Sequence, residues 1–162
     1  MKKNILFFLP VFIRGGAGNA IYKMCKRFDK SKYNLYIISI GPCSYKKELK
    51  KHIKKFYELK TNRAIYSIFA LRKIVNDLNF NKSIFVSNIN YANVITILAL
   101  RKYHDLKIIL SERTAIKELD IYFSIKDFIK KKITKFLIKF LYKKADAIIT
   151  NSKKSSNNLK NL

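Results

Sequence analysis

Short apolar runs recur along the chain, and amphipathic stretches separate them. Ile5 to Leu9 is continuous, stops at Pro10 and is followed by Gly15-Gly16. So short a run with breakers beside it predicts a strand buried on both faces. Ala20, Ile21, Met24 and Phe28 then fall at helical spacing, with Lys23, Lys26 and Arg27 on the other side, which predicts a first helix. Leu35 to Ile40 is a second strand, ending at Gly41-Pro42, and Tyr45 to Ile53 reads as a short lysine-covered helix. The alternation continues with strands near Lys55 to Leu59, Ile84 to Val86, Lys107 to Leu110 and Ala145 to Ile149. Helices are expected between them, over about Ala64 to Leu78, Val94 to Arg101 and Ile125 to Lys144, with a last one opening in Asn151 to Asn158. Strands that alternate with helices imply right-handed crossovers, and so an α/β fold with a Rossmann-like, doubly wound parallel sheet.

With 162 residues, a single domain is expected. The uncharged run Ser83 to Leu100 carries Ser83, Asn88, Asn90 and Asn93, too many polar groups for a bilayer-spanning helix. Met1-Lys2-Lys3 and the apolar stretch to Ile13 have the outline of a signal peptide. Pro10, Arg14 and the lack of an A-x-A site favour a buried strand instead. Cys25 and Cys43 stand without His neighbours, so neither a disulfide framework nor a metal cluster is indicated, and a reducing compartment is expected.

The net charge of +25 changes the picture more, because such a surface attracts anionic partners. Of the 35 basic residues only Arg14, Arg27, Arg63, Arg72, Arg101 and Arg113 are arginine. Nucleic-acid readers favour Arg for its bidentate fork, and no RNP, KH or helix-turn-helix pattern occurs. A basic nucleic-acid-binding α/β domain is the alternative reading of this charge.

Each predicted strand is followed by small or polar groups: Arg14-Gly15-Gly16, Gly41-Pro42, Thr61-Asn62-Arg63, Ser87-Asn88, Ser111-Glu112-Arg113 and Asn151-Ser152. In an open parallel sheet the ligand crevice lies outside the carboxyl ends of the strands, so these loops should line one cleft, with the side chains of Glu112 and Arg113 facing it. Turn formation and helix capping account for Gly41-Pro42 and Ser152 without a ligand. Gly15 and Gly16 sit where backbone N–H groups could approach a diphosphate, and equally where a plain strand-to-helix turn belongs. Neither the dinucleotide fingerprint nor a Walker A loop is present, since Ile21 stands where a Gly or Ala is needed and no Gly-Lys-Ser/Thr occurs. Ser111, Glu112 and Arg113 read either as a site or as a structural ion pair. His52 and His104 stand alone on lysine-rich segments, and no nucleophile–histidine–acid arrangement is found.

Ile125 to Lys144 carries eight Lys against one acid, Asp127. At 100° per residue Ile129, Ile133, Phe136, Leu137 and Phe140 share one face, expected to pack inward, with Lys132, Lys135, Lys139 and Lys143 beside it. The stretch reads as a helix docked on the sheet, as a membrane-contacting helix attracted to anionic lipid, or as both.

Taken in order, these segments resemble the N-terminal half of a GT-B glycosyltransferase of the retaining family 4 type. The resemblance rests on the strand Ile5 to Leu9 with its Gly15-Gly16 loop, on Ser111-Glu112-Arg113-Thr114, and on Lys144-Ala145-Asp146-Ala147-Ile148-Ile149-Thr150-Asn151-Ser152. It implies sugar transfer from a nucleotide diphosphate sugar to a cell-surface glycan or lipid-linked acceptor, as in capsule and O-antigen polysaccharide biosynthesis. The N-terminal domain would bind the acceptor, on the cytoplasmic face of the membrane. Gly15 and Gly16 would face the donor diphosphate; Asn88, Ser111, Glu112 and Arg113 would line the acceptor side; Lys132, Lys135, Lys139 and Lys143 would meet the anionic membrane surface. No cofactor and no metal are expected. Members of the family hold the donor mainly through an E-x7-E motif in a C-terminal domain, and no two Glu stand eight apart here. This chain alone is therefore expected to lack the donor site and to be inactive, its missing wall supplied, if at all, by a separate donor-domain polypeptide.

Overall fold

The structure is a computed structural model that describes residues 2–61, 63–78, 82–113 and 116–161. The expectations that touch Asn62 and Thr114 lie outside the described residues. Six strands, β1 (Lys3–Leu9), β2 (Tyr33–Ser39), β3 (Lys55–Glu58), β4 (Ile84–Asn88), β5 (Lys107–Glu112) and β6 (Ala147–Thr150), form one sheet in the order β3-β2-β1-β4-β5-β6. Every neighbouring pair is parallel, with Phe8 opposite Ile38 on one side and Ser87 on the other. The strand order reverses between β1 and β4, the position at which an open α/β sheet forms its crevice.

Period-two alternation in β1 divides the core. Ile5, Phe7 and Leu9 point to the face covered by α1 (Gly16–Arg27) and α2 (Lys46–Leu49), where Ile21, Cys25, Tyr45 and Leu49 pack. Leu6 and Phe8 point to the face covered by α3 (Ser67–Asp77), α4 (Asn90–Leu100) and α5 (Ile125–Leu141). A 3-10 turn, Tyr142–Lys144, joins α5 to β6, and α6 (Lys153–Lys160) follows, with Ser152 accepting a hydrogen bond from the Ser155 N–H at 3.1 Å. Burial on both faces explains why the central strands read as continuous apolar runs.

Three elements differ from the sequence pattern. The second helix shrinks to Lys46–Leu49, because His52 and Ile53 bond back to the Leu49 carbonyl in turns. The fourth starts at Asn90, four residues before the apolar run, since Asn90 and Asn93 are buried polar residues. The largest correction concerns α5. Its inward residues are Ile138 and Leu141, followed by Tyr142, whereas Ile133 is 54% and Phe136 61% exposed, and Phe128, Ile129 and Phe140 are exposed with them. The helix packs on the sheet through its C-terminal turns, so of the expected inward face only Leu137 is partly buried against the core and the rest stands in solvent.

Candidate functional site

At the carboxyl edge of the sheet, β4 and β5 end side by side, with Asn88 registered against Ser111. Asn88 and Ser111 are buried. The Arg113 Nε–H donates to Asn88 Oδ1 at 3.3 Å, and Asn151, just past β6, donates from Nδ2 to the Arg113 carbonyl at 3.3 Å. Residues from the ends of three adjacent strands thus hold Arg113 across the edge. Partial burial pulls its guanidinium below the ordinary arginine value. Nε is the only side-chain nitrogen of Arg113 bonded among the described residues, and terminal guanidinium NH2 groups of this kind suit an oxyanion.

Glu112 turns the other way. Its carboxylate is fully buried, accepts from the Tyr142 hydroxyl at 2.5 Å and lies 3.5 Å from Asn93 Nδ2. Asn93 Nδ2 also donates to the Tyr142 oxygen at 3.1 Å. Burial, and then the negative carboxylate beside it, push the Tyr142 phenol well above its usual range. The expectation that Glu112 faces the cleft is therefore corrected: alternation along β5 sends it under α4, where it ties α4 and the end of α5 to the strand that carries Arg113. A carboxyl group buried there is tolerable because it is hydrogen-bonded.

The residue before α4 carries a signal absent from the sequence. Ile89 has φ 76°, a left-handed conformation that a β-branched residue adopts at a cost of about 1–3 kcal/mol. Its N–H donates to the Ser111 carbonyl at 3.0 Å, a bond from the end of β4 to β5 that helps hold the strained conformation beside Asn88.

Gly15 and Gly16 lie on the same edge, at the start of α1, although no hydrogen bond joins them to Asn88 or Arg113 among the described residues. A Cβ at either glycine would meet nothing within 4 Å. Packing requires Gly18 instead, where a Cβ would stand 2.0 Å from the Ile13 carbonyl oxygen. The open space at Gly15 and Gly16 leaves room for a ligand to approach the backbone.

The lysines singled out on α5 and in the turn after it surround its exposed apolar stripe. Lys132 lies over the Phe128 ring at 5.7 Å and Lys143 over Phe140 at 5.5 Å, and Lys139 is exposed. Lys135 is held by Asp120 at 2.8 Å, a contact that keeps the Asp120 carboxyl below the usual range. Among the described residues no helix is long and apolar enough to cross a membrane.

No curated protein matches the sequence. Residues 14–162 match the family described as Glycosyltransferase Family 4. That span takes in the glycine loop, Arg113 and the strand leading to Asn151, on a parallel sheet whose order reverses beside them. The chain belongs to glycosyltransferase family 4, as a Rossmann-like N-terminal domain of the GT-B type, and the chemistry of its family is glycosyl transfer.

Proposed function

We propose that this domain is the acceptor-side wall of a retaining transferase that moves a sugar from a nucleotide diphosphate sugar to a lipid-linked or cell-surface glycan acceptor. The observation that carries the reading is Arg113: a half-buried guanidinium fixed through Nε, its terminal nitrogens without a partner among the described residues, at the sheet edge where α/β proteins bind ligands. Gly15 and Gly16, with open space at their α-carbons, form the wall nearest the donor diphosphate. Asn88 sets the position of the Arg113 side chain, Ser111 stands opposite Asn88 on β5, and Glu112 acts from beneath, through Asn93 and Tyr142.

Peripheral membrane contact is part of the same proposal. Phe123 is 86% exposed, and Ile125, Ile129, Ile133 and Phe136 continue its apolar surface along α5 among lysines. This is the composition of an interfacial helix, which an anionic leaflet attracts by about 1 kcal/mol per nearby Lys. Transfer needs donor and acceptor held together between two walls, with the acceptor oxygen close to the anomeric carbon, so the 162-residue chain by itself is inactive, and a donor-binding domain on the same or another polypeptide completes the site.

The test is transfer of labelled sugar from a panel of nucleotide sugars to membrane lipids, with and without an added E-x7-E donor domain. Transfer that requires both parts and falls about tenfold to a hundredfold with Arg113→Ala, the worth of a charged hydrogen bond, is expected. Turnover by the chain alone, or an Arg113→Ala enzyme of full activity, would contradict the reading.

A further inference from the structure

Between α4 and α5, closed at one side by Arg63 and Ile65, lies a groove of about 710 Å³, within the size range of small-molecule sites. Ile95 and Leu98 form one wall, Ile129 and Ile133 the other. Its charged lining residues are Arg63, Lys126 and Lys130, and none is acidic.

The charges are not spread evenly along it. Arg63 immediately precedes the turn into α3, and Lys126 and Lys130 occupy the first two turns of α5. Lys130 Nζ lies 5.3 Å from the ring centre of Tyr91, in the first turn of α4. All three cations therefore stand at the end where the helices leave the carboxyl edge of the sheet, the edge that carries Arg113. Leu98 and Leu137, toward the far ends of their helices, line the opposite end without a charged side chain, the guanidinium of Arg72 there being bonded to the Leu98 and Ala99 carbonyls. The groove has a polarity: cationic toward the sheet edge, apolar away from it. Its outer lip, Ile129 and Ile133, belongs to the exposed stripe of α5.

We infer that this groove holds one hydrocarbon chain of a phosphate-bearing membrane lipid, with the phosphate between Lys126, Lys130 and Arg63 and the chain directed along α4 toward Leu98. An apolar slot takes a chain of either direction, and the cations at one end select an anionic head there. The inference rests on the proposed acceptor-side role and sharpens it, because a lipid so oriented presents its head group to the sheet edge.

Binding of dodecyl phosphate below its micelle concentration to the full 162-residue chain tests this, with dodecyl maltoside and inorganic phosphate as comparison probes. Dodecyl phosphate should bind about tenfold tighter than dodecyl maltoside, and far tighter than inorganic phosphate. Lys126→Gln with Lys130→Gln should erase the preference for phosphate while leaving dodecyl maltoside unchanged. Ile133→Glu should weaken both amphiphiles about tenfold, and Ile129→Glu serves if the first variant melts early; both positions are half exposed and tolerate a polar side chain in the folded state. Equal affinity for the two amphiphiles, unchanged binding in the folded Glu variants, or a dimer that Ile133→Glu dissociates would overturn the inference, the last by making a second copy the occupant. No sugar moves in this measurement, so its failure removes the groove and leaves glycosyl transfer to its own turnover test.

Discussion

Helices α4 and α5 lie side by side on one face of the sheet, both rich in apolar residues, and spend that apolarity in opposite directions. In α4, nine of eleven residues are buried, polar Asn93 and Thr96 among them. In α5, which is 17 residues long, only Ile138 and Leu141 are buried, while Phe136 and Ile133 stand outward between lysines. Apolar content alone therefore does not identify core: α4 carries no charge and is enclosed, whereas the charges of α5 surround apolar groups that stay largely exposed. The first helix holds the sheet edge together. The second leaves an apolar surface exposed.

Truncating the two helices should give effects of very different size. Ile97→Ala, which removes a fully buried side chain, is expected to cost about 2–5 kcal/mol in urea unfolding. Ile133→Ala on α5 should stay within about 0.5–1 kcal/mol. Similar losses from both would mean that α5 is a core helix after all.

Vesicle flotation reverses the ranking. Phe136→Ser with Phe140→Ser should lower binding to anionic vesicles by more than tenfold, given about 1.5–3 kcal/mol for burial of each large apolar side chain, while the melting midpoint hardly moves. Replacement of Lys132, Lys135, Lys139 and Lys143 by Gln should weaken the same binding by less than their number suggests, because Lys135 is already paired with Asp120. Binding that ignores all four lysines would contradict the electrostatic part of the comparison.

The smallest expected effect is with pH. Asp120 and Asp127 are held below the usual carboxylate range, first by hydrogen bonds from Lys135 and Lys131. A depressed folded-state value means stability that is present above the ordinary aspartate value of ~3.9 and is lost as the pH falls through the folded-state one. Asp120→Asn with Asp127→Asn should therefore flatten the acid limb of the melting profile slightly. Within α4 there is no acidic or basic residue to contribute.

The strands were legible because burial on both faces writes itself as an uninterrupted apolar run with breakers at the end, as Leu35 to Ile40 before Gly41-Pro42 shows. The common edge for Gly15, Asn88, Arg113 and Asn151 followed from the parallel order alone. Side-chain direction at the site did not. Glu112 meets Asn93 and Tyr142, partners 19 and 30 positions away, and no local spacing announces such a contact. The face of α5 was misjudged for a related reason: periodicity finds an apolar stripe, but which stripe docks depends on where the chain must turn to enter β6. Gly18 was hidden beside two more conspicuous glycines, since only coordinates reveal that the Ile13 carbonyl leaves no room for a Cβ there.

The central claim, that α5 is the membrane-facing side of an acceptor domain, is open to one direct measurement. The chain contains no Trp, so a single introduced indole reports on one place. With Phe136→Trp, emission should shift to the blue on addition of anionic vesicles and be quenched by brominated lipid. With Phe28→Trp, on the opposite face of the sheet, neither change should occur. An unquenched indole at position 136, or equal quenching at both positions, would contradict the account.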